Sequence, residues 1–216
     1  MNEKRLVQGR LYSDQLFFHF LILHILLLEN RQEECSNMKK LKKSCFEPCF
    51  AVDCDDVLVS CNEYALQLLN EESSRQLDIA QINRWGVLGN ELDDRLHLFE
   101  DPTFVQSQPL YPDAQDFIHE LKQMGSVVLV TSVPPVCVPY RAAYIERFFP
   151  YTDYVITNNK SCVQADVILD DNPAHLKTAK SYHKILYKRP WNAKETQYVS
   201  VSSLDEFLSF VREVFA

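Results

Sequence analysis

The stretch Cys49-Phe50-Ala51-Val52-Asp53-Cys54-Asp55 decides the fold, because four apolar residues end abruptly in two carboxylates one residue apart. A short, continuous apolar run closed by polar residues reads as a strand buried on both faces. Side chains at i and i+2 of extended chain share a face, so Asp53 and Asp55 point one way while Cys54 turns into the core. A chain leaving a parallel strand carries such a pair to the crevice at the carboxyl edge of the sheet, where open α/β proteins bind ligands. One carboxylate can attack and the other can carry a proton. Taken alone, an acidic pair behind a strand also reads as ordinary turn material.

Three downstream segments change that balance. Val127-Val128-Leu129-Val130 is a β-branched run ending in Thr131-Ser132, which sets two hydroxyls at a second strand end. Lys160 follows a third short strand, Tyr154-Val155-Ile156, across a polar loop, and Val167-Ile168-Leu169 ends in the acidic pair Asp170-Asp171. Each has an ordinary alternative: a helix cap, a surface lysine, an Asx turn before Pro173. At successive strand ends, with one basic group between two acidic sets, they form the parts of a phosphate-handling site.

Between the first and second strands the pattern turns helical. From Asn62 to Leu98 apolar residues recur at mixed three and four spacings (Leu66 and Leu69, Ile79 and Ile82, Leu92 and Leu96), which predicts a small helical cap inserted after the first strand. Pro112-Asp113 then starts a helix that runs to Met124 and stops at Gly125. A helix over Val138 to Phe148, a helix over Pro173 to Ser181 and a strand over Lys184 to Tyr187 continue the alternation. Ser203 to Glu206 reads as a capping box opening a last helix to Phe215. Such alternation implies an α/β fold, a parallel sheet with helices on both faces. The expected division is an extension over 1–37, a catalytic core over 38–61 and 99–216, and the cap over 62–98.

Composition narrows the chemistry. A chain of 216 residues with 46% hydrophobic content suits one catalytic domain, and a net charge of −8 argues against a nucleic-acid polymer as partner. Only four glycines occur, at positions 9, 86, 89 and 125, so neither a P-loop nor a Gly-x-Gly-x-x-Gly turn is present. Seven scattered cysteines without a CxxC pair suit reduced thiols in a cytoplasmic protein. A zinc site from Cys45 and Cys49 lacks a second ligand pair. The apolar stretch Leu16 to Leu28 is shorter than the roughly 20 residues of a membrane span and has no small-residue cleavage site after it. It reads as an upstream, mis-assigned start ahead of Met38, or else as a helix for a membrane surface or partner.

Phe50 to Leu58, Leu129 to Ser132, Lys160, and Val167 to Asp171 together resemble the motif set of the haloacid dehalogenase superfamily of phosphohydrolases. Phe99 to Phe104, Pro109 to Asp113 and Arg189 to Asn192 extend the resemblance to the 5'(3')-deoxyribonucleotidases. Asp56, where many relatives have glycine, and Pro134-Pro135 depart from the pattern without removing a reactive group. The resemblance implies a Rossmann-like core and an enzyme that hydrolyses a small phosphomonoester, a pyrimidine deoxynucleoside monophosphate, through an aspartyl-phosphate. Asp53 is then the nucleophile, Asp55 the general acid and base, and Thr131, Ser132 and Lys160 the holders of the phosphoryl group. The family further implies Mg2+ held by Asp53, the Asp55 backbone carbonyl and Asp170 or Asp171, and it suggests a homodimer. Charge supports the metal, because a phosphate monoester repels an attacking carboxylate unless a hard cation lies between them. Trp85, beside Gly86, offers a ring on which a base can stack. Two alternatives keep part of this chemistry: a phosphatase of the same superfamily for another small ester, and a receiver-like phosphoacceptor module. In receivers the acidic pair precedes the phosphorylated aspartate, the reverse of the order here.

Overall fold

The computed structural model describes residues 47–215, so the readings on 1–37, Met38 and Cys45 lie outside the described residues. Strand β1 (Cys49–Val52) sits in the middle of a parallel sheet with β2 (Ser126–Thr131), β3 (Asp153–Ile156), β4 (Gln164–Asp170), β5 (Lys180–Tyr187) and β6 (Val199–Val201). The order is β3-β2-β1-β4-β5-β6, and every pairing is parallel. Val52 lies opposite Leu129 on β2 and Leu169 on β4. One residue further on, the Asp53 N–H donates to the Leu169 carbonyl at 2.9 Å. This register brings Asp53, Thr131 and Asp170 to one edge of the sheet.

The two-residue period of a strand splits each apolar run between two cores. Phe50, Val52, Leu129 and Leu169 face one layer, formed by α4 (Ala114–Lys122), α5 (Val138–Phe148) and α7 (Leu204–Phe215). Ala51, Val130, Ile168 and Leu186 face the other, where Leu176 of α6 (Pro173–Thr178) covers them. Each fully buried Phe, Leu or Val contributes about 1.5–3 kcal/mol of transfer free energy, so the central strands are the most strongly anchored part of the chain. Cys54 is buried in the first core, on the side predicted for it.

Helix α4 buries Ala114, Phe117, Ile118 and Leu121 on one stripe and ends at Lys122, short of the expected Met124. Gly125 is not a left-handed stop; a Cβ there would meet the Pro48 carbonyl oxygen at 2.2 Å, so glycine is present because the β1 approach passes against it. The helix expected over Pro173 to Ser181 ends at Thr178, and β5 starts at Lys180 rather than Lys184. Lys180 and Ser181 pair with Gln164 and Ala165, and their polar side chains reflect a strand end that projects beyond the helical cover. The three residues of β6 are too few to register as periodic sequence. At Ser203 the capping box is half formed: the Glu206 N–H donates to Ser203 Oγ at 3.2 Å, while the Glu206 carboxylate accepts from the Ser202 N–H.

The chain leaves the sheet after Ser60 and returns at Pro109, whose carbonyl accepts from the Ser60 N–H at 2.9 Å. This excursion carries α1 (Asn62–Ser73), α2 (Arg95–Leu98) and α3 (Pro102–Ser107). The regular helices expected through residue 98 give way to short turns after Ser73, because Ser74, Gly86 and Gly89 all adopt positive φ. Asp78 caps a single 3-10 turn between Ser74 and Gly86, and Asn90 caps another directly after Gly89. Leu66, Leu69, Leu77, Ile82 and Leu92 gather around Trp191, whereas α3 packs Phe104 and Val105 with Cys137 next to α5. Among the described residues, no helix is long and apolar enough to cross a membrane.

Candidate active site

Lys160 lies at the centre of the strand-end cluster. Its Nζ is 2.7 Å from Asp53 Oδ1 and 2.8 Å from Asp170 Oδ2, with all three side chains buried. One ammonium cannot neutralise two carboxylates. For Asp170, burial works against ionisation, but Lys160 and the neighbouring His175 outweigh it and hold its carboxyl below the usual range. For Asp53, burial and the negative charge of Asp170 outweigh the lysine and push it up to about 7. Lys160 itself stays charged, since the two carboxylates overcome the burial that opposes its ammonium.

Asp55 points to a second group of partners. Arg141 Nη2 lies 2.7 Å from Asp55 Oδ1 and also bonds Gln108 Oε1, and Thr131 Oγ1 donates to Asp55 Oδ2 at 3.3 Å. Strand β1 ends at Val52, so alternation does not carry on to Asp55, and the two carboxylates expected on one face go separately to a lysine and an arginine. The Ser132 hydroxyl, at the edge of the cavity beside Asp55, donates to Asn158 Oδ1. Burial pushes the Cys54 thiol up to about 12, which leaves it inert between the two aspartates.

Asp171, the second member of its pair, is buried behind Asp170. Its Oδ2 accepts from Trp191 Nε1 at 2.7 Å, whereas Oδ1 has no partner. Burial, then the charges of Asp170, Asp53 and Asp56, raise its carboxyl well above the ordinary range. Among the described residues, Asp53, Asp170 and His175 bring ligating atoms within 4.8 Å of one another, with His175 Nδ1 at 3.2 Å from Asp170. Buried carboxylate oxygens in excess of their positive partners, one of them orphaned, fit a hard divalent cation.

Beside Asp55 a cavity of about 130 Å3 is bounded by Trp85, Phe99, Gln108, Ser132 and Arg141. A neighbouring one of about 140 Å3 shares Trp85 and Phe99 and adds Ile82 and Trp191. Trp85 is half exposed, its ring centroid 6.4 Å from His175 and 6.2 Å from Trp191, so the aromatic edge of the cavity reaches the strand-end cluster. Phe99 lines the cavity, and Phe104 belongs to the core. A larger groove of about 510 Å3 along α1 borders none of these groups.

The profile of the family described as "5' nucleotidase, deoxy (Pyrimidine), cytosolic type C protein" matches residues 47–214, all but the last of the described residues. The chain belongs to this nucleotidase family. Membership makes it a hydrolase of the nucleotidase class. It is 23% identical over 163 residues to a 5'(3')-deoxyribonucleotidase from Clostridium acetobutylicum, covering 71% of this chain and 88% of that protein. It is 22% identical over 162 residues to a 5'(3')-deoxyribonucleotidase from Bacillus subtilis, covering 72% and 94%. In fold it is similar to a haloacid dehalogenase-like hydrolase from Burkholderia xenovorans, with a TM-score of 0.51 and 17% identity over 78% of this chain and 98% of that one.

Against this nucleotidase frame, every strand-end residue expected from sequence sits at the same edge of the sheet, and Trp85 reaches it from the inserted segment. Arg141 and His175 were not foreseen, and Trp191 was read only as part of the Arg189 to Asn192 segment, without a role at the site. A signal for Arg141 existed, since it shares the stripe of Tyr144 and Ile145 on α5 and so occupies a buried helical position with a charge. His175 stands one turn into a helix directly after the Asp170 pair. Nothing in the order of residues places Trp191, 20 positions away, on Asp171.

Proposed function

We propose that this nucleotidase hydrolyses deoxyribonucleoside monophosphates with Mg2+, through an aspartyl-phosphate formed on Asp53. The observation that carries the reading is the split of the acidic pair, with Asp53 on the buried Lys160 and Asp55 on Arg141 beside a cavity edged by Trp85 and Phe99. Asp53, the Asp55 backbone carbonyl and Asp170 or Asp171 would hold the metal, which when bound would supply charge neutralisation at the phosphoryl oxygens and let an ionised Asp53 approach them.

An Asp53 carboxylate oxygen attacks phosphorus as the bond to the sugar oxygen breaks, and Asp55 gives that oxygen its proton. A water then attacks the phosphoryl group, Asp55 takes a proton from it, and the Asp53 oxygen leaves as a carboxylate with inorganic phosphate released. Thr131 Oγ1 and Ser132 Oγ hold phosphoryl oxygens in both steps. Lys160 keeps a fixed positive charge in a water-poor site, where it acts more strongly than in solvent. The half-exposed Trp85 ring supplies a stacking face for the base.

A panel of deoxy and ribo monophosphates, phosphorylated on either sugar position and assayed for phosphate release with and without Mg2+, tests substrate, cofactor and class together. Release from deoxynucleotides that ceases on chelation is expected. Absence of release from every nucleotide in the presence of Mg2+ overturns the reading.

A further inference from the structure

We propose that Asp56 is a positioning residue that ties the catalytic loop to the turn carrying Trp85, so that the fit of the base is set by a side chain away from the reacting atoms. Asp56 has φ +57°, a left-handed backbone in which glycine is the default residue. The surroundings hold it there: its N–H donates to the Val59 carbonyl at 2.7 Å, and Arg189 Nε donates to the Asp56 carbonyl at 2.6 Å. A non-glycine residue kept in that conformation points to work done by its side chain.

The side chain begins a buried chain of hydrogen bonds. Asp56 Oδ1 accepts from the N–H groups of Cys61 and Asn62, at 3.2 and 2.9 Å, and Oδ2 accepts from Asn62 Nδ2. Asn62 Oδ1 accepts from Arg95 Nε at 2.8 Å, and Arg95 Nη2 donates to the Gly86 carbonyl at 3.1 Å. Asp56, Asn62 and Arg95 are all buried. Gly86 has φ +83°, lies in open space and directly follows Trp85. Arg84 Nη2 on the Leu88 carbonyl and Asp93 on the N–H groups of Leu88 and Gly89 also brace this turn, and the relay adds the bond that fixes the Gly86 carbonyl, next to the ring against which the base stacks. A helix-capping role alone accounts for the two bonds at the start of α1, because Cys61 gives that helix no side-chain cap. It does not account for the onward bonds through Arg95 to Gly86.

The polarity of the relay gives the test. In Asp56→Asn one oxygen still caps α1 and asparagine tolerates positive φ, but an NH2 now faces the Asn62 NH2, and turning the Asn62 amide presents an NH2 to Arg95 instead. This inference rests on the nucleotide reading, so two esters are compared: deoxythymidine monophosphate and glycerol phosphate, which has no base. Asp56→Asn is expected to raise KM for the nucleotide about tenfold, the net worth of one charge-assisted hydrogen bond, with kcat within about twofold. Hydrolysis of glycerol phosphate stays at the wild-type rate. Acrylamide quenching, which reads the half-exposed Trp85 in preference to the buried Trp191, is expected to increase. Arg95→Lys reproduces both changes, and the double variant adds nothing further. A folded Asp56→Asn with unchanged nucleotide KM and unchanged quenching overturns the proposal, as does an equal loss of kcat on both esters. Wild-type protein that cleaves glycerol phosphate but not the nucleotide removes the nucleotide reading instead, while quenching still reports whether the relay holds Trp85.

Discussion

Replacing Lys160 with methionine tests the electrostatic heart of the site. The methionine fills a similar volume without charge, and it leaves Asp53 and Asp170, bonded to the ammonium at 2.7 and 2.8 Å, buried with no cation between them. Removing one partner of a buried ion pair costs about 3–5 kcal/mol. For a chain of this size that corresponds to a fall in Tm of roughly 6–20 °C. The sign with pH is fixed by the carboxylates. In the variant Asp53, already raised by burial and by Asp170, has no lysine opposing the rise, so the stability tied to its protonated form is lost as pH rises from about 4, while Asp170 loses the lysine that holds its carboxyl down. The deficit relative to wild type is therefore largest near neutrality and shrinks toward pH 5. Thermal and urea unfolding followed by circular dichroism, in chelator at several pH values, measures it. A Lys160→Met protein as stable as wild type at neutral pH, or one whose deficit grows on acidification, refutes the reasoning.

Asp53→Asn should abolish turnover and yet stabilise the metal-free protein by about 2–4 kcal/mol above neutrality, since Asp53 is pushed up to about 7 and its ionisation opposes folding as pH rises from about 4. Unfolding curves at acid and alkaline pH check this, the gain vanishing in acid. Asp171→Asn keeps an acceptor for Trp191 Nε1 but removes the ionisable oxygen that has no partner, and calorimetric titration should find Mg2+ binding weakened by roughly 10–100-fold with folding intact. Gly125→Ala should cost about 2–3 kcal/mol in chemical denaturation, because its methyl would collide with the Pro48 carbonyl that pairs with the Ser126 N–H at the start of the β1 and β2 ladder.

What was legible in the sequence follows from how it is encoded. Asp53, Thr131, Lys160 and Asp170 end or follow short apolar runs, and a parallel sheet buried on both faces writes its strands as such runs. The strand tips could therefore be found by inspection, and the register of β1 with β2 and β4 aligned them. The inserted segment was less readable because helical spacing of leucines does not distinguish a long helix from turns folded around a common centre. Ser74, Gly86 and Gly89 break the run by backbone conformation, and only the glycines announce it. Arg141 and Trp191 act across the fold rather than along the chain, whereas His175 reaches Asp170 five positions back, a contact that a helix start alone does not announce. Arg141 lies 86 positions from its Asp55 partner, and local pattern holds no record of such a pairing.

The exit and return of the inserted segment meet at a single point of backbone. Val59 bridges Asp55 on one side and Leu110 on the other, and Tyr111 N–H closes onto the Leu58 carbonyl at 2.9 Å. Two chain ends already joined in this way demand little extra closure entropy of whatever lies between them. Recombination or laboratory grafting can therefore exchange the intervening stretch and trade one selectivity for another, provided the graft restores the bonds that Gln108 makes to Arg141 and Asn62 makes to Asp56.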